Sequence, residues 1–178
     1  QNAFKTILDS SDYISNVPDL LNSIIDFCLP LFHAKYAILN CFQWGVTRSL
    51  PEERHIEINT LFTDNQTEIS WRRGSIVVDK MTESKNLNQD LVSLLKISGI
   101  RSFVLTPLLY EDQRIGFFFV GNEMPIKWDD DQILMMEIVA KQVAMLVKKL
   151  STTIENIQRE ILNWRMNSLG QRLSQALT

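Results

Sequence analysis

Residues 99–147 read GIRSFVLTPLLYEDQRIGFFFVGNEMPIKWDDDQILMMEIVAKQVAMLV. The segments 101–110 and 115–120 are rich in β-branched, aromatic and aliphatic residues, which favour strands. The polar run 111–114 between them has the length of a hairpin turn, so we predict that the two strands pair. Residues 117–120, FFFV, are apolar without alternation, which predicts that both faces of the second strand are covered.

A long helix is predicted directly after this hairpin. Asp129 can cap its first turn, where Asp130 and Asp131 add negative charge that interacts favourably with the helix dipole. We therefore interpret this acidic run as a helix start rather than as a metal site. Apolar residues then recur every three or four positions and give the helix one apolar face: Ile133, Met136, Ala140, Val143 and Val147.

Four features occur together in this stretch: Thr106-Pro107-Leu108 in the first strand, Gly116 after the turn, Asn122 at the end of the second strand, and Trp128-Asp129-Asp130 at the helix start. In this combination the stretch resembles the C-terminal half of a GAF domain, a small sensory module of signalling proteins, and the resemblance extends over about residues 18–147. It implies an α+β fold, in which a GAF-like antiparallel sheet of five or six strands is sandwiched by helices. It also implies a sensory role and a long C-terminal signalling helix.

The remaining elements are predicted from apolar periodicity and turn residues. In chain order they are a short N-terminal helix or linker over 1–16, a helix from Pro18 to about Phe32, a strand over 35–43, a loop over 44–53, a half-exposed strand over 55–62, a helix starting at Gly74 or Ser75, and a short helix over 88–97. The resemblance implies that the segment 68–97 covers one sheet face as a pocket lid.

Beyond Val147 the helical pattern continues into a heptad seam. Its apolar residues recur at spacings of four, three, four and three: Leu150, Ile154, Ile157, Ile161 and Trp164. Because such a seam has no core of its own, we predict a parallel helical homodimer; the alternative is a helix that folds back on its own domain. The predicted organisation is an N-terminal helix over 1–16, a GAF-like sensory domain over 17–149 and a coiled-coil signalling helix over 150–178.

Composition limits the classes of function. The chain has 178 residues, of which 45% are hydrophobic and 22% charged, and its net charge of −3 argues against a nucleic-acid surface. No apolar run approaches the ~20 residues of a membrane span, and no signal-peptide pattern is present. Two cysteines are too few for a disulfide framework, which favours a reducing, cytoplasmic setting. Because the chain begins at Gln1, we expect it to be a piece of a longer protein.

The sequence offers no set of residues for catalysis or metal binding. His33, His55, Cys28 and Cys41 show no spacing typical of a metal site, and no serine lies in a nucleophile elbow. We therefore predict that the chain is not an enzyme, and its cofactor stays unassigned. The resemblance adds that a bilin-binding GAF domain attaches its chromophore through a cysteine in the later loop-helix region, whereas no cysteine follows Cys41 here.

One stretch has the chemistry of a ligand site. Two arginines beside a tryptophan and a Gly-Ser pair can bind an anionic or aromatic ligand by charge-assisted hydrogen bonds and stacking. The alternatives are a solvated loop and plain core packing. The predicted ligand-binding residues are Trp71, Arg72, Arg73, Ser75 and Asp79, with Phe117 and Phe119 as a pocket floor.

These features predict a regulatory sensor module of a multi-domain signalling protein, such as a histidine kinase. In this hypothesis a small ligand or another signal acts on the domain and is relayed through a dimeric helix. The alternative is a GAF-like module that binds no ligand and serves dimerisation or protein interaction, with its pocket closed by aromatic side chains.

Overall fold

The computed structural model describes residues 3–63, 74–83 and 87–177. Its last helix, α4, has 47 residues. In chain order the elements are α1 (Ala3–Phe32), β1 (Tyr36–Cys41), β2 (Trp44–Arg48), α2 (Glu52–Thr63), β3 (Ile76–Val78), a single 3₁₀ turn (Met81–Glu83), α3 (Gln89–Ile97), β4 (Ser102–Tyr110), β5 (Gln113–Asn122) and α4 (Asp130–Ala176).

Among the described residues the sheet has five strands in the order β2-β1-β5-β4-β3, and every neighbouring pair is antiparallel. The hairpin β4–β5 turns at Glu111 and Asp112, whose φ angles are 48° and 62°. Two successive residues with positive φ are typical of the tight turns that match the twist of paired strands. The predicted hairpin is confirmed, and so is the predicted antiparallel sheet with its long C-terminal helix.

The two faces of the sheet carry different helices. Alternate residues of β5, among them Phe119, belong to the core cluster that includes α2 and α3. The next residue, Phe118, packs edge-on against Phe32 of α1, with 6.5 Å between ring centroids. On this second face α4 lies beside the strands, because Glu137 accepts a hydrogen bond from Ser75 (2.9 Å). Both faces of β5 are therefore covered, as its lack of alternation predicts.

The start of α4 has the predicted capping geometry. The Asp129 carboxylate accepts a hydrogen bond from the Gln132 N–H (2.7 Å), and the Gln132 side-chain oxygen accepts one from the Asp129 N–H (3.1 Å). This reciprocal pair satisfies backbone donors that have no partner within the helix. Met136, Ala140 and Val143 of the predicted apolar face are buried.

The predicted strand over 55–62 is wrong, because residues 52–63 form helix α2. Glu52 and Glu53 lie in its first turn, where negative charge is favourable. The alternation of polar and apolar residues suggested a strand, but the fully buried Ile58 and Phe62 are four residues apart and therefore share one helix face.

Three other boundaries also differ from the predictions. Residues 44–48 form strand β2 rather than a loop, because they pair with β1. Residues 76–78 form strand β3 rather than part of a helix, because they pair with 103–105 of β4. The two predicted N-terminal helices are one element, α1, which contains Pro18 within its length.

The chain divides into two compact units, residues 18–145 and residues 1–17 together with 146–178. The first unit holds the sheet. In the second unit Ile154 and Ile157 of the predicted seam are buried within the single chain, whereas Trp164 is 68% exposed. The chain itself therefore covers part of the seam and leaves part of it open. In the described ranges, no helix is both long and apolar enough to cross a membrane.

Candidate functional site

Phenylalanine side chains pack closely on the sheet face beneath α2 and α3. Phe62 of α2 lies 4.9 Å from Phe117 and 6.0 Å from Phe119 between ring centroids, and Phe103 stacks on Phe119 at 5.3 Å. All four side chains are at most 2% exposed. Aromatic pairs at these distances stabilise each other beyond the burial of area alone. The chain's own rings therefore occupy this aromatic interior.

A polar cluster lies at the margin of the aromatic interior. Asn40 of β1 is only 7% exposed and lies opposite Phe117 in the register of β1 and β5. Its side-chain amide donates to the side-chain oxygen of Asn59, and His55 Nε2 lies 3.2 Å from Asn40 Oδ1. Any side chain at Gly45 would collide with the Asn40 amide, so this glycine leaves the space that the cluster requires.

A cavity of about 180 Å³ adjoins the polar cluster, and Asn40, Asn59 and Arg114 contribute to its lining. Because a water molecule takes about 30 Å³ of liquid, this space suits a few waters or one small polar molecule. Side-chain amides offer both donors and acceptors, and a guanidinium group attracts anions. Burial lowers the pKa of His55, although nearby Glu52 opposes the shift, so its imidazole is neutral at pH 7 and Nε2–H can donate to Asn40.

A second cleft, of about 400 Å³, lies on the opposite face of the sheet beside α4. Ser75 Oγ lies 2.9 Å from both the Glu137 carboxylate and the Thr106 hydroxyl. Because a hydroxyl donates only once, Ser75 donates to Glu137 and accepts from Thr106. Lys141 also lines this cleft, so a molecule bound there would contact β4 and α4 together.

The family model of the GAF domain matches residues 16–147, which is most of the chain. The chain belongs to the GAF domain family. This confirms the resemblance found in the sequence, and GAF domains are generally regulatory sensor modules rather than enzymes. No curated protein matches the chain significantly.

Solved structures share the GAF fold at low sequence identity. A domain assigned to a two-component sensor histidine kinase protein of Sinorhizobium meliloti 1021 is 18% identical, with a TM-score of 0.65 over 79% of this chain and 96% of that chain. The blue-light absorbing form of the PixJ GAF domain from Thermosynechococcus elongatus is 13% identical, with a TM-score of 0.61 over 83% and 94% of the two chains. The GAF domain/HD domain protein of Geobacter sulfurreducens is 14% identical, with a TM-score of 0.55 over 76% and 94%. At such identities these likenesses show the fold alone.

The GAF core separates the predicted ligand residues that the structure describes. Phe117 and Phe119 lie in the aromatic interior, whereas Ser75 lies on the opposite face of the sheet, beside α4. A single ligand therefore does not contact both groups. The part of the predicted site that lies outside the described residues stays a prediction: Trp71, Arg72 and Arg73.

Asp79, another predicted ligand residue, connects two segments of the GAF domain. Its carboxylate accepts a hydrogen bond from the Trp128 N–H (3.1 Å), and its carbonyl oxygen accepts one from the Ile126 N–H (3.1 Å). Because α4 begins at Asp130, these bonds join the segment after β3 to the residues directly before α4. The geometry therefore gives Asp79 a structural role at the base of α4.

The sequence did not predict that His55 and Asn59 of α2 form a polar cluster with Asn40. A strand over 55–62 would place His55 and Asn59 on its solvent side, away from the core. In a helix, His55, Ile58, Asn59 and Phe62 follow the spacing of three and four residues that marks one face. This spacing was the available signal, and it becomes visible once residues 52–63 are taken as a helix.

The two cysteines of the GAF domain are buried, and we expect their thiols to be unreactive at neutral pH. Burial raises the pKa of Cys28 to about 11 and that of Cys41 to about 12, so both stay protonated thiols at neutral pH. In the part of the chain that the structure describes, no three His, Cys, Asp or Glu side chains are grouped as metal ligands.

Proposed function

We propose that this GAF domain is a regulatory sensor module of a multi-domain signalling protein such as a histidine kinase, and that its signal leaves through α4. The observation that carries this proposal is the continuity of α4. Its first part buries Met136 and Ala140 in the unit that holds the sheet, and it continues as one helix to Ala176. The similar fold of a domain assigned to a sensor histidine kinase protein supports the proposal that the attached output is a histidine kinase.

The proposed signal is a small polar molecule in the cavity beside Asn40 and Asn59. A ligand shifts a helix only if it binds two arrangements of the protein with different affinity. The structure offers two hydrogen-bonded links from the sheet region to α4: Asp79 bonds to the Trp128 N–H, and Ser75 bonds to Glu137. In this proposal the ligand at β1 and β5 shifts the sheet, and a resulting change in the packing of β3 would act on both the start and the second turn of α4.

The relay requires a second chain, and we propose a cytoplasmic homodimer through the seam of α4. Ile154 and Ile157 are already buried in the single chain, so the seam positions open to a partner are Leu150, Ile161 and Trp164. Apolar side chains at heptad spacing are the usual basis of helix pairing. In this proposal the module has no catalytic activity of its own and regulates an attached output domain.

The aromatic interior favours a second candidate function, a dimerisation and interaction module that binds no ligand. Phe117 and Phe119, which the sequence suggested as a pocket floor, pack against Phe62 and Phe103 beneath α2 and α3. A ligand as large as these rings would have to displace them, at the cost of aromatic contacts and buried apolar area. In this case the GAF fold would serve as a scaffold for assembly.

Native mass spectrometry of the purified chain, with an absorption spectrum of the same sample, distinguishes the two functions. A dimer with added mass supports the sensor function and gives the mass of the bound ligand. A dimer without added mass favours the interaction module, whereas a monomer contradicts a relay through paired helices.

A matched pair of variants locates any added mass. Asn59→Ala removes an amide from the polar cluster and should weaken retention of the bound molecule. Gln142→Ala removes an amide from the exposed side of α4 and should leave retention unchanged. Equal retention by both variants would contradict a site beside Asn40.

A further inference from the structure

The cleft between β4 and α4 has the size and the mixed lining of a small-molecule site, and it lies on the face of the sheet opposite the aromatic interior. Its volume of about 400 Å³ is within the range of such sites. The lining combines the apolar surfaces of Pro107 and Leu109 with the hydroxyls of Ser75 and Thr106. We call it the β4–α4 cleft, and its charged residues are Glu111, Asp112, Glu137 and Lys141.

Helix α4 runs along β4 towards the hairpin turn. The residues just before α4 bond to Asp79, which lies near the first residues of β4. Glu137, in the second turn of α4, bonds to Ser75, which lies beside the middle of β4. Lys141 follows one helical turn later, about 6 Å further along α4. A molecule that lies along the cleft therefore meets Glu137 first, then Lys141, and last the acidic turn at 111–112.

The charges along the cleft alternate in sign and are open to a ligand. In the part of the chain that the structure describes, the side chains of Lys141, Glu111 and Asp112 take part in no ion pair or hydrogen bond. Glu137 bonds to Ser75 rather than to Lys141, although acid and base four residues apart on a helix can pair. Among the described residues the carboxylates are not grouped as metal ligands. An extended organic ion fits this spacing, whereas a compact metal ion does not.

We propose that the β4–α4 cleft binds a basic α-amino acid such as lysine or arginine. Such a molecule carries positive, negative and positive charge in the order in which the cleft carries negative, positive and negative charge. Its α-ammonium group donates to Glu137, its α-carboxylate accepts from Lys141, and its side-chain cation lies at the acidic turn. Its methylene chain packs on Pro107 and Leu109. This inference goes beyond the proposed function, because the cavity beside Asn40 lies on the other face of the sheet.

The length of a basic amino acid fits the distance between the two acidic ends of the cleft. Thr106, beside Glu137, and Glu111 are five positions apart, which is roughly 16 Å along a strand. Six bonds join the two nitrogens of lysine and span roughly 7 Å, and a hydrogen bond at each end adds about 3 Å. The two glutamate side chains bridge the remaining ~3 Å, since each is itself several bonds long.

The acidic turn makes the cleft selective for basic side chains. A neutral amino acid leaves the carboxylates of Glu111 and Asp112 without a partner, and an acidic one places like charges together. A simple diamine satisfies both acidic ends but brings no anion to Lys141. Only a molecule with all three charges matches all three parts of the cleft.

Isothermal titration calorimetry of the chain with L-lysine and with L-arginine, each to about 10 mM, tests the proposal. At least one of them should bind with a Kd below about 1 mM. Two ligands derived from lysine are the matched controls: L-norleucine lacks the side-chain ammonium group, and 1,5-diaminopentane lacks the carboxylate. Each should bind at least about 10-fold more weakly than the tighter basic amino acid, because each loses a charge-assisted hydrogen bond. Absence of binding by both basic amino acids overturns the proposal.

Two variants test the assigned contacts. Lys141→Gln removes the partner of the carboxylate, so it should weaken L-lysine about 10-fold and leave 1,5-diaminopentane unchanged or tighter. Glu111→Gln with Asp112→Asn removes the charge of the turn, so it should lower the affinity for L-lysine to that for L-norleucine. If neither variant changes the affinity for L-lysine, the amino acid binds elsewhere and the proposal is wrong.

Control variants make the same changes of charge at exposed positions that do not line the cleft. They are Lys149→Gln, and Glu155→Gln with Glu160→Gln. Both should bind L-lysine like the wild type, and equal weakening by them would show a non-specific effect of net charge and contradict the proposal. Circular dichroism melting verifies that each variant is folded.

Asn59→Ala separates the β4–α4 cleft from the cavity of the proposed function. This variant should bind L-lysine like the wild type, because Asn59 lines only the cavity. If Asn59→Ala loses L-lysine while Lys141→Gln retains it, the amino acid occupies the cavity; this inference then fails and the proposed function stands. The opposite result supports the cleft.

Discussion

Replacement of Phe119 by alanine should lower the free energy of unfolding by about 4 kcal/mol. The side chain is fully buried, and its ring lies 5.3 Å from that of Phe103 and 6.0 Å from that of Phe62. Loss of its burial costs about 2–3 kcal/mol, and loss of its aromatic contacts costs about 1 kcal/mol more. The cavity left behind adds to the loss unless the neighbouring rings close it.

Urea unfolding followed by far-ultraviolet circular dichroism measures this loss, and thermal melting should show a fall in Tm of about 10 °C. The matched control is Phe42→Ala, because Phe42 lies between β1 and β2 and is 42% exposed. Its loss should stay below about 1 kcal/mol, since the ring is partly in water in the folded state.

Equal destabilisation by the two alanine variants would refute the reasoning that the chain's own rings fill the space beneath α2 and α3. If the reasoning holds, Phe119→Ala opens an apolar cavity of the kind that binds benzene. Added benzene should then raise the Tm of Phe119→Ala more than that of the wild type, because it binds only the folded variant.

Three smaller predictions concern titration, thiol reactivity and helix capping. Burial lowers the pKa of His55 from 6.5, so near these pH values the unfolded chain binds more protons than the folded chain. The contribution of His55 to the free energy of unfolding should therefore be largest above about pH 6.5. It should fall as the pH drops through the lowered pKa and then level off, as urea titrations can measure. Burial raises the pKa of Cys28 to about 11 and that of Cys41 to about 12, so a disulfide reagent should modify neither thiol at neutral pH until urea unfolds the chain. Replacement of Asp129 by alanine removes the cap of α4 and should cost about 1 kcal/mol in the same urea assay.

Matched variants accompany these measurements. His55→Gln should abolish the fall in stability through its pH window, whereas His33→Gln should retain it. Asp130→Ala removes a first-turn charge but no cap, so it should cost only a few tenths of a kcal/mol. Equal losses for Asp129→Ala and Asp130→Ala would contradict the capping assignment, and rapid modification of folded thiols would contradict their burial.

The predictions that succeeded depend on short-range chemistry. The turn at Glu111 and Asp112 joins strands that are adjacent in sequence, and the cap of Asp129 involves a residue three positions away. In both places local preference and global fold agree, which is why a hairpin and a capped helix were predicted at nearly their observed positions.

The predictions that failed needed partners distant in sequence. Residues 76–78 are too few to be recognised as a strand alone, and only their pairing with 103–105 makes them one. In α2, Ile56 and Ile58 alternate with polar residues as in a strand, yet Ile56 is exposed and Ile58 is buried as a helix requires. Where the local sequence preference is weak, the surface on which the segment packs determines its secondary structure.

By itself, the sequence determined the central hairpin, the capped helix after it and membership of the GAF family, because turn residues, caps and apolar periods act over a few positions. Only the tertiary structure decided which residues meet. It separated Ser75 from Phe117 by the thickness of the sheet, and it joined Asn40 to His55 and Asn59 through the packing of α2 on β1. Contacts between residues far apart in the chain depend on how the strands order and which face each helix covers, and no local pattern in the sequence specifies that.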